Sequence, residues 1–245
     1  MEEQLIPPVE DDQNRTDVWR LQGIFFEPTN TFESINVRPS FWLPLVLSIL
    51  IALLMWQALG YFVDLEELFI EQARAHPQAA QLTDEQLEQQ IRFTIPIVQW
   101  AGPIVFPAVM LFLLAALILL MVHLSGSETT YKKLLGVTSH SLFVQTLVGS
   151  FLMFLVYVMA DNPKAINLEN PVYTNLGPLF SSKEAPILYK IASSMDLIVW
   201  YVIYLLGLGT ATVSKRMKVG KGVFLVGILY AIYVLLGVGW VAFTS

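Results

Sequence analysis

Hydrophobic residues are gathered in five long stretches along the chain, and polar residues fill the segments between them. A transmembrane helix needs about 20 predominantly apolar residues to cross a hydrocarbon core about 30 Å thick. In lipid every backbone polar group must be bonded within its own element, so stretches of this kind form helices. The pattern therefore predicts an all-α polytopic membrane protein with five transmembrane helices. The predicted spans are residues 41–63, 95–124, 134–160, 191–213 and 223–243.

Lysine and arginine are divided unevenly between the two sides of such a bundle. With the N-terminus inside, nine of them lie in inner segments and five in outer loops, and six of the nine lie in two short inner loops. Positive residues in short loops favour the cytoplasmic side. The N-terminus is therefore predicted inside and the C-terminus outside. The first 40 residues contain no apolar core, so no cleavable signal peptide is expected.

The composition of the segments outside the spans also predicts their structure. Residues 1–17 are acidic and unpatterned, which is typical of disorder. Residues 18–39 mix aromatic, apolar and polar side chains as short interfacial helices do, and are predicted to lie at the inner membrane interface. The outer loop 64–94 predicts two helices broken at His76-Pro77, and the outer loop 161–190 is rich in proline and predicted to be irregular.

Several residues have the pattern of helix ends. Asn30 is expected to cap the second of the interfacial helices, and Arg38-Pro39 to end it, because the residue before a proline avoids the helical region. Ser40 is then placed to cap the first span. Thr83 opens a capping-box pattern at the second helix of the outer loop.

Composition narrows the functional classes. Hydrophobic residues make up 55% of the chain and charged residues 14%, against about 25% charged in soluble domains. The net charge of −6 gives no basic stripe for nucleic acid. The chain has no cysteine, which excludes disulfides, thiol catalysis and the usual structural zinc sites. No catalytic motif is found, so the protein is predicted not to be an enzyme and to need no cofactor.

Asp196 is the one carboxylate in a predicted span, and Trp200 follows it four residues later. A charged side chain at mid-membrane costs about 3 kcal/mol and marks a functional site by default. If the fourth span begins near Ile191, Asp196 lies below its start and suits an ion, proton or lipid-headgroup site. If the helix begins at Ser193 or Ser194, Asp196 instead lies in the first turn and caps free N–H groups.

Two histidines lie within or beside the spans. His140 lies near the inner end of the third span, at a depth far from Asp196, so a direct pair is not expected. His123, at the inner end of the second span, matches its depth better, but two histidines without a third ligand make no metal site. The polar residues of the third span either line an inner cavity or form interhelical hydrogen bonds. They are Thr138, Ser139, His140, Ser141, Gln145 and Thr146.

Small residues and prolines predict how the spans pack. Gly207 and Gly209 lie in the inner half of the fourth span, and further glycines lie at the start of the fifth. Small residues let helices approach closely, so a tight pair of spans four and five is expected. Pro103 and Pro107 are expected to kink span two.

Three motifs of this chain occur in the order found in one known family. "GIFFEPTNTFESINVRPSFWLPL", "NLGPLF" and "SSMDLIVWYVIYLLGLG" resemble the signatures of the Yip (Ypt-interacting protein) domain family, bacterial branch. The matching positions in the first motif are Pro28, Phe32, Arg38, Pro39 and Pro44. The resemblance implies five spans, an inside N-terminus and a bacterial cytoplasmic membrane. Eukaryotic members are linked to Rab-type GTPases, but a bacterial member has no such partners, so that activity does not transfer.

Two functional classes remain. The first is a non-enzymatic membrane organiser or adaptor, which contacts the lipid bilayer and protein partners through the N-terminal segment and the outer loop 64–94. Its protein partner is either a different protein or, in a homo-oligomer, a second copy of this chain. The alternative is a small permease or channel for an ion, proton or lipid, which uses Asp196 and the polar third span. The first predicts insensitivity to Asp196→Asn, and the second predicts loss of flux.

Overall fold

The computed structural model describes residues 16–74, 83–162, 166, 170–172 and 174–244. The proposed tail, the His76-Pro77 break and part of the loop 161–190 therefore lie wholly or mainly outside the described residues. Within them the fold is all-helical, with two isolated β-bridges. The helices are α1 (Asp17–Phe26), α2 (Pro28–Val37), α3 (Trp42–Phe62), α4 (Leu65–Arg74), α5 (Asp84–Pro96), α6 (Gly102–Leu124), α7 (Tyr131–Met159), α8 (Pro186–Ser193), α9 (Leu197–Val213) and α10 (Val219–Thr244).

Four helical segments of the described chain are long and apolar enough to cross a membrane, and there are five if α8 and α9 form one broken span. Spans one, three and five are predicted at 41–63, 134–160 and 223–243, and helices α3, α7 and α10 occupy these ranges and are long and apolar enough to cross a membrane. Both α7 and α10 begin slightly earlier than predicted, because a polar first turn does not interrupt a helix that continues into lipid.

The helix that contains the predicted second span is longer than that span. The helix does not begin at residue 95, because α5 runs through one turn of π-helix at Ile97–Ala101 directly into α6. The departure from α geometry also lies before Pro103 rather than at it. Proline lacks an N–H and its ring displaces the carbonyl four residues back, and a wider π turn at this point relieves that clash.

The helix predicted for 191–213 is broken, which corrects the prediction of a single helix. Helix α8 ends at Ser193, α9 begins at Leu197, and the two axes differ by 49°. The 17 residues of α9 extend about 25 Å, somewhat less than the hydrocarbon core. Helix α8 also gives regular structure to the end of the loop 161–190, which was predicted to be irregular.

Helices α1 and α2 form a short N-terminal hairpin. The capping prediction for Asn30 is wrong, because α2 already begins at Pro28, whose fixed φ suits the first helical position. The Asn30 amide instead donates to the Glu27 carboxylate at 2.8 Å. Ser40 does not cap the first span either, since its hydroxyl lies 3.4 Å from the Asp17 carboxylate.

Helices α4 and α5 form a second hairpin, as the sequence of the outer loop predicts. The capping box at Thr83 is present, with both reciprocal bonds to Gln86. Arg92 binds Glu66 across the hairpin at 2.9 Å. Both groups are partly or largely exposed, and exposed ion pairs stabilise little. Buried Leu68 of α4 packs in a core cluster with Leu59 of α3 and Tyr157 of α7, which ties α4 to the bundle.

Helix α7 is the centre of the bundle and packs against α3, α6, α9 and both helices of the N-terminal hairpin. That hairpin and the loops 125–130 and 214–218 gather at one end of the bundle, which we call the hairpin end. Lys133 of α7 binds Asn36 of α2 there at 2.7 Å, and Lys215 binds Glu128 at 2.9 Å. Lys215 also lowers the pKa of the Glu128 carboxyl through this bond. The segments after α7 and before α9 lie at the opposite end.

Candidate functional site

Asp196 is the N-cap of α9. One carboxylate oxygen accepts the backbone N–H groups of Ile198 at 2.8 Å and Val199 at 3.1 Å. The other accepts the Thr174 hydroxyl and, at 3.4 Å, the Asn175 amide. Of the two placements that the sequence allows, the structure has the capping one, although the helix begins later than either estimate. The four donors are all neutral, so the carboxylate is well bonded without a counterion.

The loop that meets Asp196 is the second family-like motif. The Leu197 N–H donates to the Thr174 carbonyl at 3.2 Å, which ties the loop to the start of α9. Asn170 and Asn175 exchange two side-chain hydrogen bonds of 3.1 and 2.7 Å. A side chain at Gly177 would overlap both asparagines and Ser193. The motif "NLGPLF" therefore packs closely against the break between α8 and α9.

A cavity of about 240 Å³ opens beside this motif, between α7 and α9, at the end of the bundle opposite the hairpin end. The Asp196 side chain and Gln145 of α7 share it, so Asp196 meets one member of the predicted polar set here. Asp196 is the one titratable residue among the described residues of the lining. The lining residues are Gln145, Gly149, Met153, Asn170, Pro171, Val172, Thr174, Asp196, Ile198 and Val199.

The two histidines are not brought together. His140 is fully buried, and its Nδ1 lies 2.8 Å from the Gly136 carbonyl, so Nδ1 carries the proton. His123 is exposed at the end of α6. No group of three metal-ligating side chains occurs in the part of the chain that the structure describes. Trp200 is half exposed and lies on the outside of α9, one turn beyond Asp196.

The first and third motifs meet at the hairpin end. Phe32 of α2 is fully buried and packs on Gly209 of α9. A Cβ atom at Gly209 would lie 2.8 Å from the Phe32 ring and 2.5 Å from the Val137 side chain. Ile35 of α2 approaches Gly136 of α7 in the same way. The N-terminal hairpin is therefore an integral part of the bundle.

The prolines and the arginine of the first motif shape the chain around Phe32. Pro28 is the first residue of α2, and Arg38 is its C-cap, as the Arg38-Pro39 pair predicts. Pro44 lies buried in the first turn of α3. The Arg38 side chain is exposed. Together these residues turn the chain from α2 into α3 while Phe32 stays in the core.

Gly207 faces α10. A Cβ atom added at Gly207 would lie 2.4 Å from the Val223 Cα atom. A Cβ atom added at Gly222 would lie 2.2 Å from the Gly207 carbonyl oxygen. The expected tight pair of α9 and α10 is thus confirmed. Gly220 and Gly227, two of the further glycines near the start of the predicted fifth span, have open space around them.

Arg20 is a residue whose role the sequence does not reveal. Its side chain is only 1% exposed. The guanidinium of Arg20 donates to the Ser34 hydroxyl at 3.0 Å and carbonyl at 3.1 Å, and to the Asp17 carboxylate at 2.9 Å. Burial lowers the pKa of Arg20, and Asp17 counteracts that shift. Arginine is seldom fully buried without partners, and here its partner Ser34 comes from the other helix of the hairpin.

The capping geometry predicts how variants of Asp196 behave. Asp196→Asn keeps the cap, because asparagine is an equally good N-cap residue, and is expected to change the free energy of unfolding by less than about 1 kcal/mol. Asp196→Ala removes the acceptor and is expected to cost about 2 kcal/mol. Denaturant titration in detergent micelles measures both. Equal effects of the two variants would contradict the capping role.

The fold and the length of its apolar helices define a multi-pass integral membrane protein. The Yip1 domain model matches residues 23–241, and the chain therefore belongs to the Yip1 domain family, as its motifs indicate. It is similar to membrane protein YknW of Bacillus subtilis (strain 168), with 30% identity over 216 residues that cover 85% of this chain and 86% of that protein. No solved structure matches the chain significantly.

Proposed function

We propose that this protein is a non-enzymatic membrane organiser or adaptor that presents its N-terminal hairpin to lipids and protein partners. The observation that carries the proposal is the way this hairpin is built. Phe32, Ile35 and Arg20 fix it in the core, while Val18 and Phe26 remain largely exposed. A rigid element that keeps apolar side chains on its outer surface suits an interfacial or protein contact.

The charge distribution supports an orientation with the hairpin in the cytoplasm of a bacterium. Basic residues surround the hairpin end of the bundle, and positive residues favour the cytoplasmic side. Similarity to a Bacillus subtilis membrane protein supports the bacterial cytoplasmic membrane. Apart from the buried Arg20, the basic residues at this end are Arg38, Lys132, Lys133, Lys215, Arg216, Lys218 and Lys221, against Arg74, Arg92, Lys183 and Lys190 among the described residues of the other end.

The bonding of Asp196 favours a structural role over chemistry. Its carboxylate accepts four hydrogen bonds and has no second titratable group beside it among the described lining residues. General acid–base catalysis usually requires a group poised to exchange a proton with a neighbour or substrate. A second candidate function, a small permease, is favoured by the cavity that Asp196 shares with Gln145.

Crosslinking in intact cells, followed by affinity purification and mass spectrometry, separates the two candidates. The adaptor proposal expects a stoichiometric partner that Asp196→Asn retains. Liposomes containing the purified protein are then tested for flux of protons and monovalent cations. Flux that Asp196→Asn abolishes, with no partner recovered, would reject the adaptor and support the permease.

A further inference from the structure

We propose that the cavity beside Asp196 binds an organic primary ammonium group, which phosphatidylethanolamine carries on its headgroup and small alkylamines carry free in solution. The Asp196 carboxylate and the Gln145 amide oxygen accept the N–H groups of the ligand, and the apolar part of the lining contacts its carbon atoms. This site goes beyond the adaptor proposal and exists whether or not that proposal holds.

The first observation is a negative charge without a counterion. Asp196 is partly exposed where it lines the cavity, and the described lining contains no basic residue. Lys190, the nearest basic residue along the chain, lies against Gly237 of α10 instead. The Asn175 amide lies 3.4 Å from the carboxylate, which is long for a hydrogen bond. That oxygen therefore has room for a shorter, charge-assisted bond from a ligand.

The second observation is an exposed amide in the same cavity. Gln145 is the middle residue of α7, so it lies at a depth where lipid tails offer no hydrogen bond. Its side chain is exposed and has no hydrogen-bond partner within the described structure. Polar side chains inside a membrane span usually face a cavity and mark a site. A ligand with N–H donors in the cavity satisfies the Gln145 oxygen.

The third observation is the chemistry of the remaining lining, which favours a primary ammonium group over other cations. Met153, Val172 and Ile198 form an apolar wall, against which an alkyl chain packs and a bare metal ion gains nothing. Metal ions also need several oxygen ligands, and no group of three metal-ligating side chains occurs in the described chain. Quaternary ammonium groups such as choline are recognised by aromatic rings, and the described lining has none.

The position of the cavity gives both carriers of an ammonium group access to it. Gln145 and Gly149 of α7 are exposed or partly exposed, so the cavity is open along a helix that crosses the membrane. Its other border, at Pro171 and Val172, belongs to the segment between α7 and α8. A lipid headgroup therefore reaches the cavity from the bilayer, and a free amine reaches it from water.

Native mass spectrometry of the full chain tests the lipid as the carrier. The protein is released from nanodiscs that contain equal amounts of phosphatidylethanolamine and phosphatidylcholine with the same acyl chains, and the retained lipids are counted. The site predicts that phosphatidylethanolamine is retained at least about fivefold more often, since only its ammonium group donates hydrogen bonds to a carboxylate.

Two variants change the cavity in different ways, and each has a matched control. Asp196→Asn removes the charge and keeps the helix cap, and Asp161→Asn removes an exposed carboxylate at the same end of the bundle, outside the lining. Gly149→Leu fills the cavity without displacing a neighbour, because a Cβ atom at Gly149 meets nothing within 4 Å. Gly227→Leu adds the same side chain to equally open space on α10. The lipid preference is expected to disappear in both cavity variants and to persist in both controls.

A second arm tests a free amine as the carrier. Saturation-transfer NMR is recorded with ethanolamine, and separately with choline, on the protein in nanodiscs of phosphatidylcholine alone. Transfer to ethanolamine and not to choline, lost in Asp196→Asn, would support the site with a free amine as its ligand. A lipid preference without transfer to ethanolamine would support the site with the headgroup as its ligand.

Failure of both arms would overturn the proposal. Selectivity that either cavity variant leaves unchanged, or that the controls lose as well, would overturn it equally, since the discrimination would then arise outside the cavity. Neither arm depends on recovery of a protein partner, so failure of the adaptor proposal is seen separately.

Discussion

Replacing Gly207 with valine is expected to force α9 and α10 apart and to lower the free energy of unfolding by about 3 kcal/mol. The added Cβ would lie 2.4 Å from the Val223 Cα atom and 2.5 Å from its nitrogen. These are backbone atoms, so no change of rotamer relieves the overlap. Membrane helix pairs depend on such close packing because lipid gives no hydrophobic drive for association.

Denaturant titration of the purified protein in mixed micelles measures this effect. Gly227→Val is the matched control, because a Cβ atom at Gly227 meets nothing within 4 Å. The control is expected to change the free energy of unfolding by less than about 0.5 kcal/mol. A loss in the control as large as that in Gly207→Val would contradict the assigned contact.

Arg20→Ala is expected to cost about 3 kcal/mol, the second large effect. Removal of the guanidinium leaves the Ser34 hydroxyl and carbonyl buried without their donor, and also leaves a void beneath the hairpin. The half-exposed Asp17 remains hydrated and adds little. Arg20→Met, which keeps the volume, is expected to lose less.

The same titration in micelles tests Arg20, with Arg38→Ala as control. Arg38 is exposed at the end of α2, so its loss is expected to stay within about 0.5 kcal/mol. Limited proteolysis at the hairpin gives an independent readout, since a released hairpin is cut before the bundle. Equal stability of Arg20→Ala and Arg38→Ala would show that the buried bonds do not hold the hairpin.

Long apolar stretches and the local cap at Thr83 could be predicted from the sequence, whereas the caps predicted at Asn30 and Ser40 were wrong. Spans one, three and five follow from apolar length, because lipid permits no other backbone structure. The capping box at Thr83 depends on residues three positions apart and is therefore visible in the chain. The glycine contact of α9 with α10 follows from small residues in neighbouring spans, although only Gly207 and Gly222 of the set make it.

Features that depend on distant partners were missed. The break before α9 forms because Thr174 and Asn175, from the preceding loop, meet the Asp196 carboxylate. The burial of Arg20 depends on Ser34, fourteen positions away in another helix. The shared cavity of Asp196 and Gln145 depends on the antiparallel register of α7 and α9. No local pattern in the sequence contains these contacts.

The most direct test of the adaptor proposal is residue-specific photo-crosslinking from the N-terminal hairpin. Phe26, 86% exposed, is replaced by p-benzoylphenylalanine and irradiated in living cells, with Phe106, 66% exposed on α6, as the control within a span. The proposal predicts one discrete protein adduct from Phe26, retained in Asp196→Asn and absent from Phe106. Adducts with lipid alone, or the same adducts from both positions, would contradict a partner-binding hairpin.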